Sequence, residues 1–578
     1  MSESLGSNFS SVLKNAWHVF LTEGKTARTY LKSATQESVR DDLQKSLKRR
    51  SSEVVNLEEI FHAHAQGVDF NEQPCWNRAS FEAYLKKAQP ELATSDIVVD
   101  LLWRSFHFHS FHPFPRDSVT DAVDLDGFKR AVALLAAQGS DLLGILGEID
   151  THWQLDQGQN FNHQRNSRRI IRSIGVPPPK DSIVVESEKA CILEEIGDVV
   201  AMHQPFSLPH VPAERHVFAA AQKLADKDAI EMRRQTSQSD VTTLVSIFLR
   251  QRLYKSTWGL SFAFGSFERE EPADHELAAT LVNSICSSSE GSLESSDMSS
   301  ILDLLPNLYL RFYQMWAIIF QPPIPECAQT PSQDPKGTDT RVLRAVSLFV
   351  PHRQISTYEE VRREDRRIAV EETPGVSKDA SLINMNQLAR ALAGDECAHV
   401  VLVRGKNSNT SQFTVIGSYF PRDRTGAGIH AFFQLQPRFC VLRWTGGKRK
   451  NARHIVSAND ESCQNSIGSG KDDDSTGTGP FWIGDPDGNG VCMKIEPENR
   501  SASVVCLSDV MKPMGAAFGD VQVSVDHITV LDVSGSEPAA NANTPGNPYE
   551  KPKTTEGSTE NRIQGEELRR RIMGFGST

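Results

Sequence analysis

The stretch Asp485-Pro-Asp-Gly-Asn-Gly-Val-Cys-Met-Lys-Ile-Glu496 meets every specified position of the calcium-loop pattern D-x-[DN]-x-[DN]-G-x5-E. Oxygen ligands at alternate positions, a glycine at the sixth for the sharp turn and a closing glutamate are what a calcium ion requires, provided an entering and an exiting helix hold them on one centre. These flanks do not have the helical pattern. Upstream, Gly468 to Pro480 is a polar, glycine-rich stretch followed only by Phe481–Ile483; downstream, Val491, Met493 and Ile495 alternate with Cys492 and Lys494 until Pro497. Alternation predicts a strand, and Asp-Gly-Asn-Gly is turn chemistry, so the segment reads as a β-hairpin rather than a metal site.

A second metal suspect is Phe106-His-Phe-His-Ser-Phe-His-Pro-Phe-Pro115. His107, His109 and His112 would suit zinc or copper if an extended backbone placed the first two on one face. No carboxylate or cysteine in the segment completes such a site, and the remaining neighbours are mostly aromatic or proline, which predicts an apolar anchoring loop after a helix. Gly468-Ser-Gly-Lys471 has neither the nucleophile-elbow nor the P-loop spacing, with Asp472 where the latter needs Ser or Thr. Asp485 and Asp487, an acid–base pair by type, fall on a solvated turn that supplies no cause for shifted acidity. H-E-x-x-H does not occur. The sequence therefore nominates no catalytic, cofactor-binding or metal residue, and no cofactor is expected.

The elements around these segments divide the chain. With 578 residues, 39% hydrophobic and 24% charged, it is expected to be soluble and to hold more than one domain. A net charge of -12 with scattered basic residues disfavours nucleic acid as a partner. The runs Lys48–Arg50, Lys448–Lys450 and Arg569–Arg571 read as solvated surface rather than nuclear signals. Nine cysteines occur singly without a C-x-x-C pair, which fits a reducing compartment, with Cys440, Cys492 and Cys506 acting as small hydrophobes inside strands. Met1-Ser-Glu-Ser carries no signal-peptide core, and Ser2 stands where myristoylation needs glycine, so a cytoplasmic location is expected. Leu304 to Phe320 includes Pro306, Asn307, Arg311 and Gln314 and reads as a buried helix, not a membrane span.

Residues 1–150 read as helical. Phe9, Val12, Leu13, Ala16, Trp17, Phe20 and Leu21 keep the helical rhythm, and further helices are expected around Leu57–His64, Arg78–Lys87, Asp96–Phe106 and Asp126–Ala137. Asp124-Leu-Asp126-Gly-Phe resembles the end of an EF-hand loop stripped of its alternating ligands, so this module is expected to be degenerate and EF-hand-like. Residues 151–240 form a connecting region with breakers at Pro177–Pro179 and from Pro205 to Pro212. Residues 241–335 carry helical segments and a linker. Val241, Leu244, Val245, Phe248, Leu249 and Leu253 make one apolar helical stripe, and Ser287–Ser300 reads as an exposed loop. From 340 to 535, Val346–Val350, His399–Val403, Phe413–Tyr419, His430–Leu435, Phe439–Trp444, Phe481–Ile483, Val491–Ile495, Ser503–Leu507 and Val521–Val533 are short β-type runs. They predict an antiparallel β-sandwich with peripheral helices, making the fold class α+β. Residues 536–578 read as a disordered tail ending in a short helix over Gln564–Phe575.

The β-rich half resembles the TLDc domain family. His399-Val-Val-Leu-Val-Arg404 and Phe413-Thr-Val-Ile-Gly-Ser-Tyr419 are similar to its paired "valid detail" and "fGay" strands. His430-Ala-Phe-Phe-Gln-Leu-Gln-Pro437 is similar to "sFLFsLkP", and Phe439-Cys-Val-Leu-Arg-Trp-Thr-Gly446 to "f.vyrWtG". Phe481 to Glu496 then falls where the family has strand, glycine-rich turn and return strand, and Val525 to Val533 takes the closing-strand position. Leu531-Asp-Val533 departs from the usual "vWGf" end, and the early "LLYS…dGfSf" element has two candidates, Val346–Val350 and Leu253–Ser256. The start of the region is thus open between 241–335 and 340. With the helical half in front, the arrangement resembles fungal members of the restriction-of-telomere-capping type. The resemblance implies a non-enzymatic protein that binds subunits of the vacuolar-type proton ATPase or acts in oxidative-stress protection, reaching the vacuole membrane only through a partner. A calcium-responsive adaptor using Asp485–Glu496, or an enzyme with a site assembled from distant residues, are the alternatives.

Overall fold

The computed structural model describes residues 32–51, 57–68, 72–114, 122–136, 168–176, 193, 196, 214–225, 234–258, 262–286, 293, 295–321, 340–350, 369–372, 378–379, 388, 398–420, 431–444, 481–484, 491–496, 499–506, 511–515 and 521–534. The expected helix over Phe9–Leu21, the linker before 340, the polar stretch 451–480 and the C-terminal tail lie outside them.

The described chain begins with α1 Gln36–Ser51, which the sequence reading does not single out, and the next helices follow the predicted periodicity: α2 Leu57–His64, α3 Arg78–Ala88, α4 Asp96–Ser110 and α5 Leu125–Leu135. Between α2 and α3 the chain forms a two-strand hairpin, β1 Gly67–Val68 with β2 Pro74–Cys75. Side-chain caps set two of the helix starts. Asn77 accepts from the Ser80 N–H at 2.9 Å, and Asp124 accepts from the Gly127 N–H at 2.7 Å. Trp76 and Val123 exchange backbone hydrogen bonds of 2.8 Å each, so the units α2–α3 and α4–α5 are joined loop to loop by an antiparallel bridge. Trp76 is fully buried. Its indole N–H donates to the Phe61 carbonyl at 2.9 Å, and its ring lies 4.5 Å from Phe128.

A helical turn over 168–174 and α6 Glu214–Leu224 lead to α7 Gln238–Arg250, which starts at a reciprocal capping box between Ser237 and Asp240. The apolar stripe read from Val241 to Leu253 is helical only through Arg250. Leu253 belongs to β3 Gln251–Trp258, which pairs with β4 Phe262–Phe267. Then follow α8 Pro272–Asn283, α9 Ser295–Leu304, α10 Leu308–Ile319 and α11 Thr340–Phe349. Three sequence expectations are corrected here. The serine-rich stretch read as a loop through Ser300 is helical from Ser295. The helix read from Leu304 is interrupted at residues 305–307, where Pro306 has no N–H to continue the ladder, and resumes at Leu308. Val346–Val350, read as a strand, lies on α11, because Val342, Val346 and Phe349 recur at helical spacing and bury one continuous stripe.

The residues flanking and forming α10 are apolar almost all round, as befits a helix wedged between two bodies. Phe312, Trp316 and Phe320 recur every four residues. Trp316 lies 6.1 Å from both Phe81 and Phe106, and Phe320 stacks on Tyr84 at 5.1 Å. The Tyr84 hydroxyl and the Gln89 amide donate to the Ile319 and Ile318 carbonyls at 2.9 and 3.1 Å. On the other side, the Asn307 amide donates to the Ser347 and Val350 carbonyls at 3.0 and 2.5 Å, and Arg311 reaches the Ser347 hydroxyl. One hydrophobic core accordingly runs from Leu57 through α10 and α11 to the strand residues Val400, Phe433 and Leu531.

The remaining strands are β5 Ala369–Glu372, β6 Lys378–Asp379, β7 Ala398–Asn407, β8 Phe413–Phe420, β9 Ala431–Gln436, β10 Cys440–Trp444, β11 Phe481–Gly484, β12 Val491–Glu496, β13 Ser501–Cys506, β14 Met511–Gly515 and β15 Val521–Ser534. Their order is β11-β12-β13-β15-β7-β8-β9-β10-β14, with β5 and β6 also pairing β15, and every pairing is antiparallel. Alternation sends Val400 and Leu402 to the helices. Val401 and Val403 face a second core that they share with Ile416, Leu442, Ile483, Met493 and Val504. Strands from β10 near one end of the order to β11 at the other contribute to that core, so the sheet is one curled antiparallel sheet rather than two separate ones. The class is α+β.

β15 carries the irregularity that makes this possible. Val521, Val523 and Val525 point into the second core at odd positions, and Ile528 and Val530 do so at even ones. A bulge between Val525 and His527 restores the face, because one extra residue shifts a period of two by one step.

Candidate functional site

The calcium-pattern segment is flanked by strands. Phe481↔Ile495, Trp482↔Lys494, Ile483↔Met493 and Gly484↔Cys492 pair antiparallel, with residues 485–490 outside the described part. Glu496, the would-be closing ligand, sits at the strand end. Its carboxylate pairs with Lys494 and accepts from Asn499 at 3.1 Å and Ser501 at 3.2 Å, and these hydrogen bonds hold it below the usual carboxylate range, the Lys494 bond foremost. Asp124 is likewise committed to capping α5, and Asp126 follows in the first turn of that helix. Gly468–Lys471 lies outside the described residues. Cys440 and Cys492 are buried within strands, and burial pushes the Cys440 thiol up to about 12, an inert state. Cys506 lies on β13.

The histidine segment differs from expectation. His107 and His109 lie in the last turn of α4, not in a loop, and all three histidines are fully shielded from solvent. Helical geometry places residues two apart on different faces, so the shared face that a metal pair would need does not form. Among the described residues no cluster of three or more His, Cys, Asp or Glu has metal-holding geometry.

What surrounds these histidines could not be read from local spacing. Arg130 from α5 donates to the Ser110 carbonyl at 2.6 Å. The guanidinium carbons of Arg172 and Arg234 lie 5.9 and 5.0 Å from the Phe108 ring centre, and Arg169 is buried close by. Arg169 and Arg172 stand three apart in a helical turn flanked by Ile170, Ile171 and Ile174, so they share its buried side. That arginine pair in an apolar helix is the one local signal that could have drawn notice. Arg104 pairs with Asp240 at 2.6 Å at the neighbouring start of α7.

The electrostatics follow from burial. Desolvation, with the charges of Arg169 and Arg234 behind it, pulls His109 down to about 3 despite the opposing hydrogen bond to the Ser105 carbonyl. His112 is lowered by desolvation and then by Arg169, His109, Arg130 and Arg172. A base depressed on folding contributes its full stability above the unfolded value near 6.5 and loses it as pH falls toward the folded value. Stability in zwitterionic buffer is therefore expected to drop between pH 7 and pH 5. His109→Gln should shallow that slope by up to one proton, about 1.4 kcal/mol per pH unit. Urea unfolding at each pH checks this, and an unchanged slope would contradict the buried neutral imidazole.

A scan of known protein families returned no match to this chain, and a search of curated proteins returned none. No described helix is long and apolar enough to cross a membrane.

Proposed function

We propose that this chain is a non-enzymatic interaction protein of the TLDc type, acting by binding the peripheral sector of a vacuolar-type proton ATPase, with oxidative-stress protection as the associated role. The observation that supports this reading is the pairing of the segments that resemble the family. His399 to Arg404 and Phe413 to Tyr419 are neighbouring antiparallel strands, β9 pairs β10, β11 pairs β12, and Val525 to Val533 closes the sheet from its interior. Val346–Phe349 is helical and Leu253-Tyr-Lys-Ser256 lies on β3, which favours the latter as the early family element and, on this reading, a start within 241–335.

The helical half fits an EF-hand-like pair: two helix–loop–helix units bridged at Trp76 and Val123, with Asp124 serving as a helix cap. Such a module would keep its form without metal, through its aromatic core. A curled sheet on a helical wedge presents its loops to a partner from a rigid support, and the acidic balance of the chain would steer it toward basic surfaces.

Tagged full-length protein incubated with detergent-solubilised vacuolar membranes should recover identified pump subunits of the peripheral sector. A protein that is folded by circular dichroism and recovers none of them would sink the proposal.

A further inference from the structure

We draw no further inference here: the strongest candidate, the exposed sheet face where Phe413 of β8 lies opposite Lys406 of β7 and Ser524 of β15 follows on the next strand, carries nothing because nothing in the structure shows what covers it.

Discussion

Gly405→Val is expected to abolish the native sheet, and Gly405→Ala to destabilise the protein by about 3 kcal/mol or more, in the range reserved for backbone clashes and broken cores. A Cβ at Gly405 would collide with the Ser524 carbonyl oxygen and stand 3.0 Å from Val523 Cγ1. The obstructing atom is backbone, so no rotamer change relieves it. Nor can the backbone retreat easily. Ser524 is paired on its other side with Ser501, and the next N–H, of Val525, donates to the Arg500 carbonyl at 2.7 Å. Gly405 stands opposite Val525, where β15 bulges, so the glycine is the space into which the bulge presses. Urea unfolding of Gly405→Ala checks the claim, with the exposed neighbour Lys406→Ala expected within about 0.5 kcal/mol of the parent. If both variants unfold at the parent's midpoint, the register of β7 on β15 is wrong.

Trp76→Ala is expected to cost about 3–5 kcal/mol, the usual range for removing a fully buried large aromatic. The indole fills the seam between the two helix–loop–helix units, touching Phe61, Tyr84, Phe106 and Phe128. Its backbone is the bridge to Val123, so the void would open where the units meet. Trp76→Phe keeps most of the apolar contact and loses the bond to the Phe61 carbonyl. That carbonyl still accepts from the Ala65 N–H at 2.9 Å, so the smaller change should cost about 1–2 kcal/mol. Hydrogen exchange should show the loss of protection in Trp76→Ala reaching α10, because Trp316 and Phe320 rest on the same aromatic group. A stability change below about 1 kcal/mol for Trp76→Ala would mean that the two units do not depend on each other.

Several elements are legible in the amino-acid order alone. Asn77 and Asp124 announce the helices that follow them, and Pro74 to Trp76 lies in the short extended stretch between two of the predicted helices. The calcium pattern is separable from a hairpin because Val491, Met493 and Ile495 keep a period of two, and a strand cannot serve as an exiting helix. The bulge in β15 is visible in principle, since the valines at 521, 523 and 525 change parity to Ile528 and Val530, yet read as one run the segment conceals it. Val346–Val350 misleads because a five-residue window of apolar residues has no distinguishable period. The preceding turn, with Val342 and Leu343, carries the helical spacing. The anchoring loop read into Phe106–Pro115 starts later than expected, as a largely buried turn from Phe111 to Phe114, for a related reason. Aromatic and histidine residues are indifferent enough to helix that packing of α4 against α5 decides where the helix stops.

The order of residues sets the period of each segment and the caps and turns between them, and with these an α+β chain with helices first and an antiparallel sheet after. Packing over long sequence distances makes α10 the wedge that unites the helical half with the sheet, curls the sheet around a second core, and brings four arginines from three elements around the buried His109 and His112. The difference is one of range. Periodicity and capping are set by residues within a few positions of one another, whereas the charge and hydration felt by His112 depend on side chains brought to it from Arg130, Arg169 and Arg172, which no local window contains.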